Sequence, residues 1–204
     1  MDNIKQSLQQ TYNNHAEERE SKTELETWKA EEREAFLQIL LNDGKRSLLE
    51  IGAGPGRDSR YFAENGLEVT CTDLSPEMVR ICSQHGLDAH QLDFYDLRFP
   101  GNAFDAVYAL NCLLHVPKAD LPDVLIEIGR VLRPQGLLYI GVYGGKDSEG
   151  IWKDDSYEPK RFFSFYTDEQ LLKVVQRHFK IEAFKVVNYQ SEGLHFQSLV
   201  LRKE

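Results

Sequence analysis

The sequence predicts an α/β fold: a mostly parallel sheet with helices on both faces. Three observations carry that prediction. Strand-like apolar runs alternate with helical ones from Ser47 to His178, and such alternation marks parallel strands joined by crossover helices. A glycine-rich turn, Gly52-Ala53-Gly54-Pro55-Gly56, directly follows the first of those strands. Two last alternating segments, Lys180 to Tyr189 and His195 to Leu201, are joined by a short Gly-containing link, Gln190 to Leu194, which suits an antiparallel hairpin. The last strand is therefore expected to run against the others.

Bulk composition sets the bounds. The chain has 204 residues, enough for one well-buried domain and little more. Hydrophobic residues at 41% and charged residues at 28% describe a globular chain rather than a disordered one. The formal charge of −9 disfavours a nucleic-acid partner, because gripping a phosphate backbone calls for a basic surplus. Met1 to Gln10 holds no apolar signal core and no run approaches a membrane span, so the expected setting is the cytoplasm, away from membranes. Cys71, Cys82 and Cys112 lack CxxC spacing and a nearby His cluster. Buried reduced thiols are expected, and no metal site.

The elements follow in order. Charged side chains dominate residues 15–34, while Leu25, Trp28, Ala35, Phe36, Ile39 and Leu40 recur at helical spacing. One amphipathic helix with a solvated charged face is expected there, ending near Asn42-Asp43-Gly44. Ser47 to Ile51 is the first strand, and Arg57 to Asn65 a helix closed by Gly66 in the left-handed cap position. Glu68 to Leu74 is the second strand. Ser75 caps the next helix, with Pro76 in its first turn. Asp88 to Asp93 and Phe104 to Cys112 are strands three and four. A helix from about Asp120 to Leu132 stops before Pro134 and Gly136, and Leu137 to Val142 is the fifth strand. Gly144 to Lys160 reads as a polar loop long enough to serve as a lid. Thr167 and Gln170 have capping-box spacing, so a helix is expected from there to about His178.

The chemistry concentrates in Leu48-Leu49-Glu50-Ile51-Gly52-Ala53-Gly54-Pro55-Gly56-Arg57. Glycines after a buried strand let the chain turn sharply and bring backbone close to a ligand at the next helix's N-terminus. Alone, the pair fits a plain strand-to-helix turn equally well. Asp73 closes the second strand about 20 residues after Gly52, where an acid can take both hydroxyls of a ribose. A helix-capping aspartate is its other reading, but the two features together point to a nucleoside. A dinucleotide pattern needs a further glycine at 57, where Arg57 stands, which counts against a nicotinamide-dependent oxidoreductase. Glu50 suits a ligand bearing an ammonium group, as S-adenosylmethionine (SAM) does, better than one bearing a pyrophosphate.

Leu48 to Gly66, with Asp73, Asp93 and Phe104-Asp105-Ala106-Val107, resembles the class I SAM-dependent methyltransferases, most of all the small bacterial type with a fused N-terminal helical segment. The resemblance covers about residues 45 to 204. It implies a Rossmann-like seven-stranded sheet in the order 3-2-1-4-5-7-6 with strand 7 antiparallel, in keeping with the hairpin above. It divides the chain into a helical segment, 1–45, packing on or over the active site, and a SAM-binding domain, 46–204. It also implies that Gly52, Ala53 and Gly54 pass under the ligand, that Glu50 orients the methionine amino group, and that Asp73 holds the ribose. Leu74 and Met78 would line the adenine. Asp93 resembles the acid that accepts from the adenine amino group, with Phe94 beside it. A turn aspartate is the competing reading, and Asp96 offers a competing register. Arg57 is similar to an arginine set against the SAM carboxylate, or is a surface helix residue. Asn111 ends strand four, where the family presents a backbone carbonyl to the cofactor.

Methyl transfer requires in-line approach of a nucleophile to the sulfonium methyl, so alignment outweighs a strong base. No Asp/Asn-Pro-Pro-Tyr-like motif follows strand four, where Asn111-Cys112-Leu113-Leu114-His115 stands. That disfavours adenine or glutamine as the amino acceptor. His115 is the candidate base, with a capping or packing histidine as its other reading. Trp152 and Tyr157 in the long loop, and Tyr12 and His15 ahead of the first helix, are candidates to wall the site of a small-molecule substrate. The remaining rival is a catalytically silent SAM-binding partner subunit. Such partners commonly lose the glycines or the ribose acid, and this chain keeps both.

Overall fold

The structure, a computed structural model, describes residues 2–22, 26–188 and 193–204. One sheet has the order β3-β2-β1-β4-β5-β9-β8, built from β1 (Ser47–Ile51), β2 (Glu68–Asp73), β3 (Asp88–Gln91), β4 (Phe104–Leu110), β5 (Leu132–Gly144), β8 (Lys180–Val187) and β9 (His195–Arg202). The pairs among β1 to β5 are parallel, and β9 runs against both β5 and β8. A separate two-stranded ribbon joins β6 (Ser148–Ile151) to β7 (Phe162–Phe165). With that ribbon set aside, the sheet has the order that the family resemblance implies and the antiparallel strand that the hairpin predicts.

The apolar runs become central strands because both faces of the sheet are covered. Successive side chains point to opposite faces. Leu48 therefore joins Phe36, Leu40 and Phe62 under α3 (Thr27–Asn42) and α4 (Arg57–Glu64). Leu49 and Ile51 join Val124, Leu125 and Ile128 under α6 (Leu121–Val131) and α7 (Asp168–Val175). Tyr108 and Tyr139 stack between strands with ring centroids 4.8 Å apart, and Phe36 stacks on Tyr108 at 5.8 Å. Each such fully buried side chain contributes about 1.5–3 kcal/mol. The expected caps are made. Ser75 Oγ accepts from the Met78 N–H at the start of α5 (Pro76–Gln84), and Thr167 and Gln170 form a reciprocal capping box on α7.

Several expectations need correction. The charged run is not one helix but α2 (Ala16–Ser21) followed by α3, and Leu25 lies outside the described residues. Ahead of them stands α1 (Asp2–Asn14), within the segment that only the resemblance gave as helical; its polar composition hides a narrow apolar edge at Ile4, Leu8 and Tyr12. β3 stops at Gln91, so Asp93 falls in a turn and bridges Asp96. β4 stops at Leu110, because Asn111 turns to φ +54°. β5 begins early and carries Pro134 and Gly136 through a register shift, from Phe104↔Leu132 to Ala106↔Leu137, as a bulge allows. α7 ends at Val175 rather than near His178. The long loop is irregular over 145–147 and 152–161, with β6 pairing between them. Of the hairpin's expected residues, Tyr189 and the link through 192 lie outside the described residues.

Asp105 pins the start of β1 to β4. It accepts from the N–H groups of Arg46 and Ser47 and from Ser47 Oγ, each at 3.0 Å, and from Arg133 at 2.8 Å. Burial opposes its charge, but those N–H donors and Arg133 outweigh it and hold the carboxyl well below the usual carboxylate range. Because the folded value is depressed, the stabilisation is complete above the unfolded value near 4 and is lost as pH falls toward the folded one. Asp105→Asn should therefore lower stability at pH 7 by roughly 1.5–3 kcal/mol. The difference from the parent in urea unfolding should narrow as pH falls below about 4.

Candidate active site

β1 runs straight into the glycine turn. Gly52, Gly54 and Gly56 have φ of +65°, +56° and +77°, a region that L side chains resist. A Cβ on Gly52 would collide with the Cys112 side chain just beyond β4, so the turn is also closed from the side. Cys82 Sγ holds the Gly54 carbonyl at 3.2 Å. All three cysteines are buried and free.

Asp73, at the end of β2, faces this turn. Its Oδ2 accepts from the Gly54 N–H and its Oδ1 from the Ser75 N–H, each at 2.8 Å. A carboxylate oxygen has two lone pairs, so each keeps one for a ligand hydroxyl. Burial pushes the Asp73 carboxyl up, against the pull of Ser75, Gly54 and the Arg19 guanidinium. Gly52, Gly54, Asp73, Leu74, Phe94 and Asn111 line a groove over the strand ends, roofed by Leu8, Tyr12 and Arg19 from the N-terminal helices. Open parallel sheets bind ligands at this edge. The Asn111 N–H is tied to the Gly141 carbonyl at 2.7 Å, and its side-chain Oδ1 is buried with no hydrogen-bond partner.

Other candidates stand elsewhere. Glu50 lies beneath the turn, not in the groove, and its carboxylate receives the Ser59 hydroxyl. Burial and the charge of Asp58 push its carboxyl well above the usual range. Met78 is fully buried against Ala16 and Ile81 rather than lining the groove. Asp93 pairs with Lys5 at 2.6 Å and lines a small recess with Phe94 and Leu74. Ala53 is buried, its N–H bonded to the Thr72 carbonyl at 3.0 Å.

Beside the groove is a cavity of about 420 Å³. The two share Tyr12, Arg19, Asn111 and His115. Arg57 and Trp152 line the larger one. His15 and Tyr157 line neither; their rings stack on each other, 4.0 Å apart and 6° from parallel. Arg19 and Arg161 are lining residues the sequence reading missed. Arg19 lies in α2, beyond the break at His15 that separates it from Tyr12 in α1, and was masked by the acidic run around it. Arg161 is fixed by Asp155, which takes its N–H, Nε and Nη2 at 2.9, 2.8 and 2.7 Å.

His115 sits on a short 3₁₀ turn, Leu113–His115, after β4. Its Nδ1 is 2.7 Å from the Phe162 carbonyl, and its Nε2 is 2.6 Å from the Tyr12 hydroxyl. A carbonyl can only accept, so Nδ1 carries the proton and Nε2 accepts from Tyr12. Arg161 Nη1 in turn donates to the Tyr12 oxygen at 3.3 Å. Burial lowers the His115 pKa to about 3, outweighing the Phe162 carbonyl, and leaves a neutral ring with both nitrogens engaged. Among the described residues, no group of acids, histidines or cysteines is placed to hold a metal, and no helix is long and apolar enough to cross a membrane.

Residues 49–140 match the family described as methyltransferase domain. A demethylmenaquinone methyltransferase of Tropheryma whipplei is 33% identical over 112 residues, covering 53% of this chain and 46% of that protein. A malonyl-[acyl-carrier protein] O-methyltransferase of Salmonella typhimurium is 32% identical over 136 residues, 66% of this chain and 52% of that one. The chain thus spans about half the length of these curated relatives. Among solved structures, the 1,6-didemethyltoxoflavin-N1-methyltransferase of Burkholderia thailandensis, bound to 1,6-didemethyltoxoflavin and S-adenosylhomocysteine, superposes with a TM-score of 0.74. It is 23% identical, over 97% of this chain and 88% of that chain, a likeness of fold.

The His115 geometry makes a spectroscopic prediction. Two-bond ¹H–¹⁵N correlation should show His115 as the Nδ1–H tautomer, with no titration between pH 5 and 8. An Nε2–H pattern, or a midpoint near the ordinary 6.5, would disprove the arrangement. Because the folded value lies below the unfolded one, His115 withdraws stability as pH falls below about 6.5, down to its folded value.

Proposed function

We propose that the chain is a class I SAM-dependent methyltransferase, which the match of residues 49–140 to the methyltransferase-domain family and the methyltransferase relatives support, and that it binds SAM in the glycine groove and methylates a small molecule held in the adjoining cavity. The carrying observation is that groove and cavity meet at Tyr12, Arg19, Asn111 and His115. Two ligands seated side by side at such a junction are pre-aligned for in-line transfer, which is most of what this reaction needs. SAM supplies the electrophilic methyl on its sulfonium.

The residues divide the work. Asp73 takes the ribose hydroxyls with its remaining lone pairs, and Gly52 and Gly54 let the backbone approach. Leu74 and Phe94 offer the adenine an apolar wall, with Asp93 beside them. The carboxylate of the methionine portion has two guanidinium groups available. Arg19 Nη2 would lie 3.7 Å from a Cβ on Gly54, its Nε is buried without a partner, and Arg57 donates to the Arg19 carbonyl. With Glu50 turned beneath the loop, the unpartnered Oδ1 of Asn111 is the acceptor at hand for the ammonium group.

The groove encloses only about 90 Å³, well short of the roughly 300 Å³ or more of ordinary ligand pockets. α1 lies across it, held by Gln9 Nε2 on the Leu74 carbonyl at 3.1 Å and by Ser75 Oγ on Asn13 at 2.6 Å. SAM therefore enters by displacing α1 outward.

His115 reaches an acceptor through Tyr12. As the acceptor oxygen bonds to the methyl, its proton passes to the Tyr12 oxygen while the Tyr12 proton moves to Nε2. A ring with a pKa of about 3 removes a proton only from a strong acid, such as a newly methylated oxygen. The pair thus acts late, after the methyl–acceptor bond has largely formed.

Calorimetry should show binding of SAM or S-adenosylhomocysteine and no comparable binding of NAD; preference for NAD would overturn the proposal. Asp73→Ala should weaken SAM binding by about 1.5–3 kcal/mol, and an unchanged affinity would reassign Asp73 to joining the two turns. With labelled SAM and a metabolite pool as acceptor source, Tyr12→Phe and His115→Gln should each lower turnover by roughly 10²-fold. The double variant should fall no further, because a relay fails as a unit. Full turnover in either single variant would leave alignment as the sole device.

A further inference from the structure

The larger cavity is lined by five cationic side chains, Arg19, Lys22, Lys29, Arg57 and Arg161, and by no carboxylate. That is notable in a chain of net charge −9. Three of the cations have acidic partners that do not line the cavity. Lys22 pairs with Glu18 at 2.6 Å, Lys29 with Glu26, and Arg161 with Asp155. Arg19 and Arg57 make no ion pair among the described residues, and Arg57 rests against the Arg19 backbone with its charge close to that of Arg19. The cavity therefore keeps a positive surplus.

Bound SAM would not remove it. SAM carries one carboxylate against an ammonium and a sulfonium, so it adds net positive charge beside the cavity. Like charges brought together in a partly desolvated site repel strongly, which disfavours a cationic acceptor and favours an anionic one. The remaining walls are rings. Trp152 meets Phe163 and Phe165 edge-on at 5.3 and 5.6 Å, and Phe163 and Phe165 lie nearly parallel. Such walls take a flat ring through offset or edge contacts.

Resting on the methyltransferase reading, we infer that the methyl acceptor is a small aromatic carboxylate. Its ring lies against Trp152 and Phe163, and its anionic group is met by Arg161, Lys29 and Lys22. The carboxylate fixes the ring, and the ring's position decides which atom faces the methyl.

The test uses the full chain saturated with S-adenosylhomocysteine and three matched rings: benzoate, benzamide and benzylamine. By calorimetry at low salt, benzoate should bind at least about tenfold more tightly than benzamide, the size expected of a hydrogen-bonded charge, and benzylamine more weakly than both. Lys22→Gln/Lys29→Gln should bring benzoate to within a few-fold of benzamide without changing S-adenosylhomocysteine affinity. Lys22→Arg/Lys29→Arg should keep the preference. Equal affinities, binding of none of the three, or a preference untouched by the glutamine pair overturns the inference. If S-adenosylhomocysteine itself does not bind, the cofactor reading falls with it; if it binds and no anion preference appears, only the acceptor class falls.

Discussion

The site depends on one carboxylate. Asp73 takes the Gly54 N–H on one oxygen and the Ser75 N–H on the other, each at 2.8 Å. These belong to the turns that follow β1 and β2, so a single side chain at the end of β2 sets the spacing of two neighbouring crossovers. The left-handed glycines make the first turn possible, the Ser75 cap fixes the second, and the groove is the space between. Buried donors left unmade are costly, so the carboxylate proposed to take the ribose also holds the groove in shape.

Around that tie, the molecule has two sources of structure. The sheet ends supply the floor: Gly52, Gly54, Asp73, Leu74 and Asn111. Apart from Tyr143 at the end of β5, most of what stands above it comes from outside the main sheet. α1 and α2 contribute Tyr12 and Arg19, and the β6–β7 ribbon with its connecting loop contributes Trp152, Arg161, Phe163 and Phe165. The two outer parts are fastened to each other by the His15–Tyr157 stack and by Thr11 Oγ1 on the Pro159 carbonyl at 2.5 Å.

This division explains what could be read from the sequence. The strand and helix alternation, the antiparallel last strand, both helix caps and the Gly52–Asp73 pair were legible because each is fixed by local pattern: a run of apolar residues, a capping residue, a glycine before a helix; the strand order came only from the family resemblance. Glu50 and Met78 sit at expected positions, yet neither faces the groove, because strand alternation and helix packing turned them inward. α1 was illegible because a helix stabilised by one narrow edge and by contacts to distant residues leaves little trace in its own composition. The Tyr12–His115 bond spans 103 residues, and the cationic cavity gathers lysines and arginines from α2, α3, α4 and the loop before β7. Nothing in neighbouring residues announces such a gathering.

The outer parts also differ from the sheet in how they can change. The β6–β7 ribbon is inserted between β5 and α7 without sharing a hydrogen-bond ladder with the sheet, so residues in it can be exchanged, lengthened or lost with every register below left intact. In evolutionary terms, selection on what the cavity admits acts on the ribbon and on the N-terminal helices, while the floor stays still. Descendants of one such chain would diverge in the molecules they take long before they diverge in the nucleoside they hold. Only the four residues common to both spaces answer to both demands, and those should be among the slowest to drift.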